Sequence, residues 1–169
     1  NDQLPILLVA ASCAAAVGAL WGPLHGGANV AVLEMLGKIH HGGLSPDQAI
    51  SLAKDPKSGF KLMGFGHRVY KTGDPRARIL KSHCVKLAAE VGDDRWERMA
   101  EPIERAVTQQ KQLPPNVDWP SARLYHYMGL DIHLYTPIFA MARVVGWSAH
   151  IIEQLDNNRL MRPRARYTG

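Results

Sequence analysis

Apolar residues recur at helical spacing along most of this chain, and short runs rich in glycine and proline separate the apolar segments. Val32, Leu36 and Ile39 share one helical face, and a second series runs from Leu80 to Val91 and stops before Gly92. No segment alternates apolar and polar residues with the period of two that a half-buried strand requires. The pattern therefore predicts an all-α fold in which turns carry the polar groups.

Several helix starts and ends can be located from local signals. Residues 45–48 (SPDQ) form a capping-box sequence with proline at the first helical position, and Asp74-Pro75 begins another helix. Further helices are predicted at 96–107, with a kink or break near Pro102, at 120–128 and at 136–155. The least helical stretches, 54–73 and 109–119, are expected to be loops of a functional site.

Length and composition limit the class of protein. A chain of 169 residues with 46% hydrophobic residues fits one domain or slightly more, with an ordinary core. The net charge of +5 favours acidic partners such as carboxylates, phosphates or nucleic acid without choosing among them. The only two cysteines, Cys13 and Cys84, belong to no CxxC pair, which favours a reduced, cytoplasmic protein.

The first segment has two interpretations. Residues 3–24 carry no charge, so this segment could be a signal peptide or a membrane-spanning helix. However, no Lys or Arg precedes it, and it is rich in alanine and glycine between Pro5 and Pro23. These features favour a buried helix that packs tightly against another helix.

Three short runs place a histidine, a second histidine and an aspartate on turns: GPLHGGAN at 22–29, GFGHRVYK at 64–71 and PNVD at 115–118. His25 precedes a helix, where a neutral imidazole can donate an N–H to a carbonyl oxygen that gains charge. The alternative is a purely structural role, in which the His25 ring donates a hydrogen bond to a carbonyl of the turn. The glycines before His67 allow a close backbone approach to a ligand, although many such loops are only turns.

The charged residues near these runs suit an anionic substrate. Residues 57–81 hold seven basic residues against one acidic residue, which indicates either an anion site or a solvated face. Arg76 lies in the first turn of a helix, where a guanidinium suits a carboxylate. Asp118 lies among prolines and Trp119, so restricted hydration would raise its pKa and make it a better base, unless it only caps a helix. Arg143 interrupts an apolar helix and must face an anion, an ion pair or water.

Metal and nucleotide motifs are absent from the sequence. The histidines have no zinc-ligand spacing and no HExxH, and the glycine loop at 64–66 lacks the Gly-Lys-Ser/Thr ending of a Walker A motif. We therefore expect no metal site.

Taken in order, five motifs resemble those of the citrate synthase family, in its bacterial or archaeal form. They are LWGPLHGGAN at 20–29, GFGHRVYK with DPR at 64–76, NVD at 116–118, IFAMAR at 138–143 and RPR at 162–164. The resemblance covers nearly all of this chain but only the C-terminal part of the family's subunit. It implies a multi-helical citrate synthase fold. Residues 1–24 would be part of a large-domain helix, residues 25–125 a small domain that closes on substrate, and residues 126–169 a large-domain helix and arginine arm.

The resemblance also implies roles for individual residues. His25 would stabilise the enol of acetyl-CoA, Asp118 would take the methyl proton, and His67 would polarise the ketone of oxaloacetate. The substrate carboxylates would bind Arg76, Arg143 and, from the other subunit of a homodimer, Arg162. Acyl-CoA, a substrate rather than a cofactor, would lie along Leu62, Met63, Gly64, Phe65, Gly66 and Lys71. Neither nucleic acid nor membrane would be a partner.

The sequence also departs from the family. An upstream Glu-His-x-x-Asn-Ala-Ser segment, which supplies another oxaloacetate-binding histidine, is absent, and the first ten residues fit poorly. The short tail that usually follows the Tyr-Thr-Gly position is also missing. We therefore expect a truncated chain with little or no activity alone. The alternatives are a 2-methylcitrate synthase that uses propionyl-CoA, a non-catalytic basic helical module that binds nucleic acid, and an inactive partner subunit, although the intact His25, His67 and Asp118 count against the last.

Overall fold

The chain is helical throughout the part that the computed structural model describes, residues 4–22, 25–159 and 168. Within those residues it forms seven α-helices, one short 3₁₀ helix and no strand, which confirms the all-α prediction. The α-helices are α1 (Leu4–Leu20), α2 (Ala28–His41), α3 (Pro46–Lys54), α4 (Pro75–Val91), α5 (Arg95–Lys111), α6 (Asp118–Tyr127) and α7 (Tyr135–Asp156), and the 3₁₀ helix is Ile132–Leu134.

Two helix starts follow the local signals closely. At α3, the Ser45 N–H donates to Oε1 of Gln48 (2.8 Å) and the Gln48 N–H donates to Oγ of Ser45 (3.2 Å), so the predicted capping box is confirmed. At α4, the N-cap is Asp74, whose Oδ1 accepts the Arg76 N–H at 2.9 Å. Gly92, with φ of 69°, ends α4 in the left-handed conformation that favours glycine.

Two boundaries differ from the sequence-based expectation. Helix α5 continues through Pro102, so the break expected there as one of two alternatives does not occur. Pro102 lies on the exposed side of α5, where water can bond the carbonyl that lost its donor, while Ile103 and Val107 anchor the other side in the core. Helix α6 begins at Asp118, two residues before the expected Pro120. Because the first N–H groups of a helix have no intrahelical acceptor, a proline there costs no hydrogen bond.

The chain divides into two compact units, one formed by Trp21–Phe139 and the other by Asn1–Leu20 with Ala140–Gly169. The core of the first unit lies between α2, α5 and α6, with Leu36, Ile103 and Trp119 almost completely buried. Helix α3 packs on α5, and α4 packs on α6. The domain boundaries expected at 24/25 and 125/126 stay predictions.

In the second unit, α1 faces the C-terminal part of α7, with Sγ of Cys13 lying 3.8 Å from Oγ of Ser148. Helix α1 forms where it was expected, but the expectation that it is buried is wrong for the described residues, since Ile6 is 68% exposed. Helix α7 is similar, with Met141 73% exposed. One neighbouring helix covers only one face of an all-apolar helix, so the other faces meet solvent.

A membrane span was the alternative interpretation of the first segment. No helix in the described part of the chain combines the length and the apolar character needed to cross a bilayer.

Candidate active site

The loop that carries His67 pairs with the segment that carries Asp118. The Gly66 N–H donates to the carbonyl of Pro114 (2.8 Å), and the Asn116 N–H donates to the carbonyl of Gly64 (2.9 Å). These bonds form an isolated antiparallel bridge between Phe65 and Pro115. The two least helical stretches of the chain therefore meet, which places the residue after Gly66 near the start of α6.

Gly64 allows this loop to lie directly on the core. Its φ is +86°, and a Cβ at this position would lie 2.9 Å from Cγ2 of Val32 and 3.0 Å from Cβ of Trp119. The Phe65 ring centroid lies 4.6 Å from that of Trp119. The glycine is thus required by packing against α2 and α6 as well as by its backbone conformation.

His67 is held in one neutral tautomer by its own loop. Its Nδ1 accepts the N–H groups of Val69 (3.0 Å) and Tyr70 (3.2 Å). An acceptor nitrogen carries no proton, so the neutral ring carries its proton on Nε2. His67 therefore presents Nε2–H as a hydrogen-bond donor, the form that can polarise a carbonyl oxygen.

Asp118 is the electrostatic centre of the site. Burial raises the pKa of its carboxyl group, while Coulombic interactions with His25, Arg76 and His67 act in the opposite direction. The structure therefore brings the two predicted histidines and one predicted arginine within electrostatic range of the predicted base. The alternative role of Asp118 as a helix cap is wrong, because the N-cap of α6 is Val117 and no side chain caps it.

His25 lies in the turn that leads into α2. It is exposed, and its ring centroid lies 6.3 Å from that of Phe139 in an edge-on arrangement. Oγ1 of Thr136 donates to the carbonyl of Gly26 (2.8 Å), which ties this turn to the start of α7. The ring makes no hydrogen bond to any residue that the structure describes, so its nitrogens are available to a substrate.

Arg76 is oriented by a buried carboxylate. Its Nε donates to Oδ1 of Asp74 (3.0 Å) and its Nη2 donates to Oδ2 (2.7 Å), while its guanidinium carbon lies 5.6 Å from the Tyr70 ring centroid. The hydrogen bonds from Arg76 lower the pKa of Asp74, and the same pair raises the pKa of Arg76. With 49% of its side chain exposed, Arg76 still faces solvent. Asp74 thus occupies the edge of the guanidinium formed by Nε and Nη2. The sequence analysis did not predict this ion pair.

The other predicted binding residues lie in three environments. Leu62, Met63 and Phe65 are half-buried against the core, and Lys71 is exposed with its Nζ donating to the carbonyl of His67 at 3.2 Å. Arg143 is exposed on the part of α7 that belongs to the other unit. Arg162 falls outside the described residues.

Sequence reasoning missed the residues that hold Trp119, the neighbour of Asp118. Nε1 of Trp119 donates to Oε2 of Glu104 (3.0 Å). The fully buried Arg123 donates from Nη1 to the carbonyl of Trp119 (2.7 Å) and from Nε to Oε1 of Glu97 (2.6 Å). Arg123 gave no signal because it lies in a short helix of mixed polarity, where burial of a charge depends on a partner in another helix.

Comparison with known proteins bears on the family to which this chain belongs. The family model described as "Citrate synthase, C-terminal domain" matches residues 9–164. Citrate synthase 2 of Bacillus subtilis (strain 168) is 55% identical over 155 residues, which are 92% of this chain and 41% of that protein. A 2-methylcitrate synthase of Shewanella oneidensis is 44% identical over 154 residues, which are 91% of this chain and 40% of that protein.

A solved structure shares the same fold. The citrate synthase of the thermophilic archaeon Thermoplasma acidophilum, in a ternary complex with carboxymethyl coenzyme A and oxaloacetate, superposes with a TM-score of 0.79 at 37% identity. The match covers 96% of this chain and 46% of that chain. This chain therefore spans less than half the length of each of these three relatives. The family match over most of the chain, the high identities and the shared helical fold lead to one conclusion: the chain belongs to the citrate synthase family.

Proposed function

We propose that this chain carries the catalytic groups of a citrate synthase, which condenses acetyl-CoA with oxaloacetate and water to give citrate and CoA. The observation that carries the proposal is the half-buried Asp118 within electrostatic range of His25, His67 and Arg76. A carboxylate base, two imidazole donors and a guanidinium are the groups that enolisation of a thioester beside a dicarboxylic keto acid requires.

Asp118 starts the reaction by removing a proton from the methyl group of the thioester. That carbon acid is very weak, so a donor must stabilise the thioester oxygen as it becomes an enol oxygen. His25 supplies this donor, and a preorganised donor of this type contributes about 2.7–4 kcal/mol. The raised pKa of Asp118 makes its carboxylate a stronger base than an exposed aspartate.

His67 acts on the second substrate. The enol carbon bonds to the ketone carbon of oxaloacetate while the Nε2–H of His67 polarises the ketone oxygen. That oxygen becomes the hydroxyl of the condensation product, so the condensation as a whole moves one proton from the methyl carbon to this oxygen. Water then hydrolyses the thioester of the condensation product and releases citrate and CoA. The two N–H groups bonded to Nδ1 of His67 support this role, because they keep the proton of the neutral ring on Nε2.

The substrate carboxylates bind to arginines in this proposal. Asp74 uses Nε and Nη2 of Arg76, so the Nη1 edge is the one that approaches oxaloacetate. Arg143 and Arg162 complete the anion site by the family resemblance, with Arg162 contributed by the second subunit of a homodimer. CoA lies along residues 62–66, with Lys71 near its phosphates, and the exposed ammonium of Lys71 beside His67 supports this placement.

We expect activity to need more chain than these 169 residues. The proposed small domain, residues 25–125, closes on substrate only against the rest of a large domain. The exposed apolar faces of α1 and α7 support this expectation, as does a match to only 41% of the Bacillus relative. We also propose a cytoplasmic enzyme, since Cys13 and Cys84 are both free thiols.

A second candidate activity is that of a 2-methylcitrate synthase, which uses propionyl-CoA. The 44% identity to the Shewanella 2-methylcitrate synthase favours it. One methylene group changes selectivity by only about 1–3 kcal/mol, so small differences in the acyl pocket decide between the two substrates.

Thiol release with oxaloacetate tests both activities. The protein translated from the complete reading frame that encodes this chain is assayed with acetyl-CoA and with propionyl-CoA, with Asp118→Asn as the control for background hydrolysis. We expect faster release from acetyl-CoA, and little or none from the 169-residue chain alone. Faster release from propionyl-CoA would favour the second candidate, and no oxaloacetate-dependent release from either would refute both.

A further inference from the structure

Asn116 connects the two loops of the candidate site through its side chain. Its Nδ2 donates to the carbonyl of Gly66 (3.0 Å), and its Oδ1 accepts the N–H of Asp118 (3.0 Å). Its own N–H donates to the carbonyl of Gly64 (2.9 Å), and its carbonyl accepts the N–H of Trp119 (3.3 Å). This half-buried residue therefore uses every polar group it has within the protein.

The amide of Asn116 has only one orientation that satisfies both contacts. Reversing it would set Oδ1 against the carbonyl of Gly66 and Nδ2 against the N–H of Asp118, so both hydrogen bonds would be lost. Each amide atom makes one bond within the protein, which leaves one N–H of Nδ2 and one lone pair of Oδ1. The two bonds that the amide does make act on the residues that it holds.

One of the two residues that the Asn116 side chain holds is next to a proposed catalytic group, and the other is itself one. Gly66 directly precedes His67, and the accepted N–H belongs to Asp118 itself. We propose that Asn116 is a positioning residue that fixes the separation between the Nε2–H donor of His67 and the carboxylate of Asp118. This inference rests on the proposed function, since the separation matters only if both groups act on one pair of substrates.

The backbone pairing of the loops does not depend on this side chain. The Gly66–Pro114 and Asn116–Gly64 bonds are both between main-chain groups. A variant at position 116 should therefore keep the loops paired while losing the side-chain link, so folding and positioning can be measured separately.

Asn116→Ser is the first test variant, in the protein from the complete reading frame. The serine hydroxyl can still accept the Asp118 N–H at the start of α6, but it is too short to reach the Gly66 carbonyl. Asn116→Ala removes both bonds and is the second variant. The matched control is Asn158→Ala, because Asn158 is an exposed asparagine whose Oδ1 accepts from Gln154 in the same segment.

Two rates separate positioning from folding. The first is kcat for condensation, which needs both His67 and Asp118. The second is exchange of deuterium from solvent into the methyl group of acetyl-CoA with malate in place of oxaloacetate. Malate has a hydroxyl instead of the ketone, so this exchange reports Asp118 and His25 without His67.

We expect Asn116→Ser to lower kcat for condensation by about 10- to 100-fold, the range typical of a 1 Å misplacement, and KM much less. Deuterium exchange should fall far less than condensation, and the urea midpoint should stay close to that of the unmodified protein. Asn158→Ala should change neither rate.

Equal losses in condensation and exchange, or unchanged condensation in both Asn116 variants, would overturn the proposed role. A parallel fall in the urea midpoint that accounts for the lost activity would show a structural role only, and would overturn it as well. If the unmodified protein catalyses no condensation, the proposed function fails first. An active unmodified protein with unaffected Asn116 variants would refute the positioning role alone.

Discussion

Arg123 and Glu97 form an ion pair at the base of the candidate site, with Nε of Arg123 2.6 Å from Oε1 of Glu97 and the arginine side chain completely buried. The guanidinium also lies 5.0 Å from the ring centroid of Trp119 and donates to its carbonyl. This pair links α5 to α6, and Arg123 also bonds the residue that follows Asp118. A buried ion pair is not a large net source of stability, but breaking it leaves one charge without a partner.

Arg123→Ala should therefore destabilise the protein by about 3–5 kcal/mol, measured by urea unfolding. The control is Arg98→Ala. Arg98 lies on the same helix as Glu97 and forms an exposed ion pair with Asp94. Because the Arg98 side chain is 71% exposed, its loss should cost at most about 0.5 kcal/mol. A similar loss of unfolding free energy in Arg123→Ala and Arg98→Ala would contradict the predicted effect of breaking the buried ion pair.

Gly64→Ala should be more harmful than an alanine at another glycine with a positive φ. At Gly64 the new Cβ meets Val32 and Trp119 at 2.9–3.1 Å, whereas at Gly59, with φ of +65°, nothing lies within 4 Å. Both variants carry the backbone penalty of about 1–2 kcal/mol, and only Gly64→Ala adds an overpacking cost of about 1–3 kcal/mol. Equal unfolding free energies for Gly64→Ala and Gly59→Ala would show that the loop is not packed on the core as described.

Asp118→Asn should stabilise the protein at neutral pH while removing activity. Burial raises the pKa of Asp118 in the folded state, so the folded protein binds this proton more tightly than the unfolded chain. Stability is therefore lost as the pH rises from the ordinary value of 3.8 through the raised pKa of the folded state. Denaturation curves at several pH values should show the gain from asparagine above that window and none below it. A loss of stability at neutral pH would contradict the assigned environment.

Asp74→Asn should have the opposite pH dependence. The bonds from Arg76 lower the pKa of Asp74, so this carboxylate stabilises the fold above its unfolded pKa and the stabilisation is lost as the pH falls through its folded pKa. The variant should be less stable than the unmodified protein at neutral pH, with the difference disappearing in acid. It should also raise KM for oxaloacetate, because Arg76 loses the partner that orients it, and an unchanged KM would contradict that role.

The sequence was sufficient for those parts of the fold that depend on local signals. Helical spacing, the capping box at Ser45 and the Asp74 N-cap were confirmed because each depends on residues within one turn. Of the two alternatives expected at Pro102, the break was wrong because Ile103 and Val107 hold α5 in the core, and the kink stays a prediction. Burial of α1 could not be judged from its own residues, since burial depends on which helices lie beside it.

The candidate site was proposed from the sequence in its residues but not in its internal links. The roles of His25, His67, Arg76 and Asp118, proposed from their turns and from the family resemblance, stay predictions, and the Coulombic interactions of Asp118 with the other three support them. The bond of Asn116 to Gly66 spans 50 positions, and that of Arg123 to Glu97 spans 26, so neither leaves a pattern in the local sequence. Asn116 does lie in the NVD motif. An asparagine whose side chain accepts the backbone N–H two residues later is a common turn signal, and the bond from the Asp118 N–H is of this type.

The most direct test of the site is whether His25 and Asp118 act on the same substrate molecule. The measurement is kcat for thiol release from acetyl-CoA with oxaloacetate in the complete protein, in His25→Ala, in Asp118→Ala and in the double variant. Each single change should lower kcat by at least about 10²-fold, and the double variant should fall little below the slower single, since groups that act as one unit are not additive. Full activity in either single variant, or losses that multiply in the double variant, would contradict a shared catalytic centre.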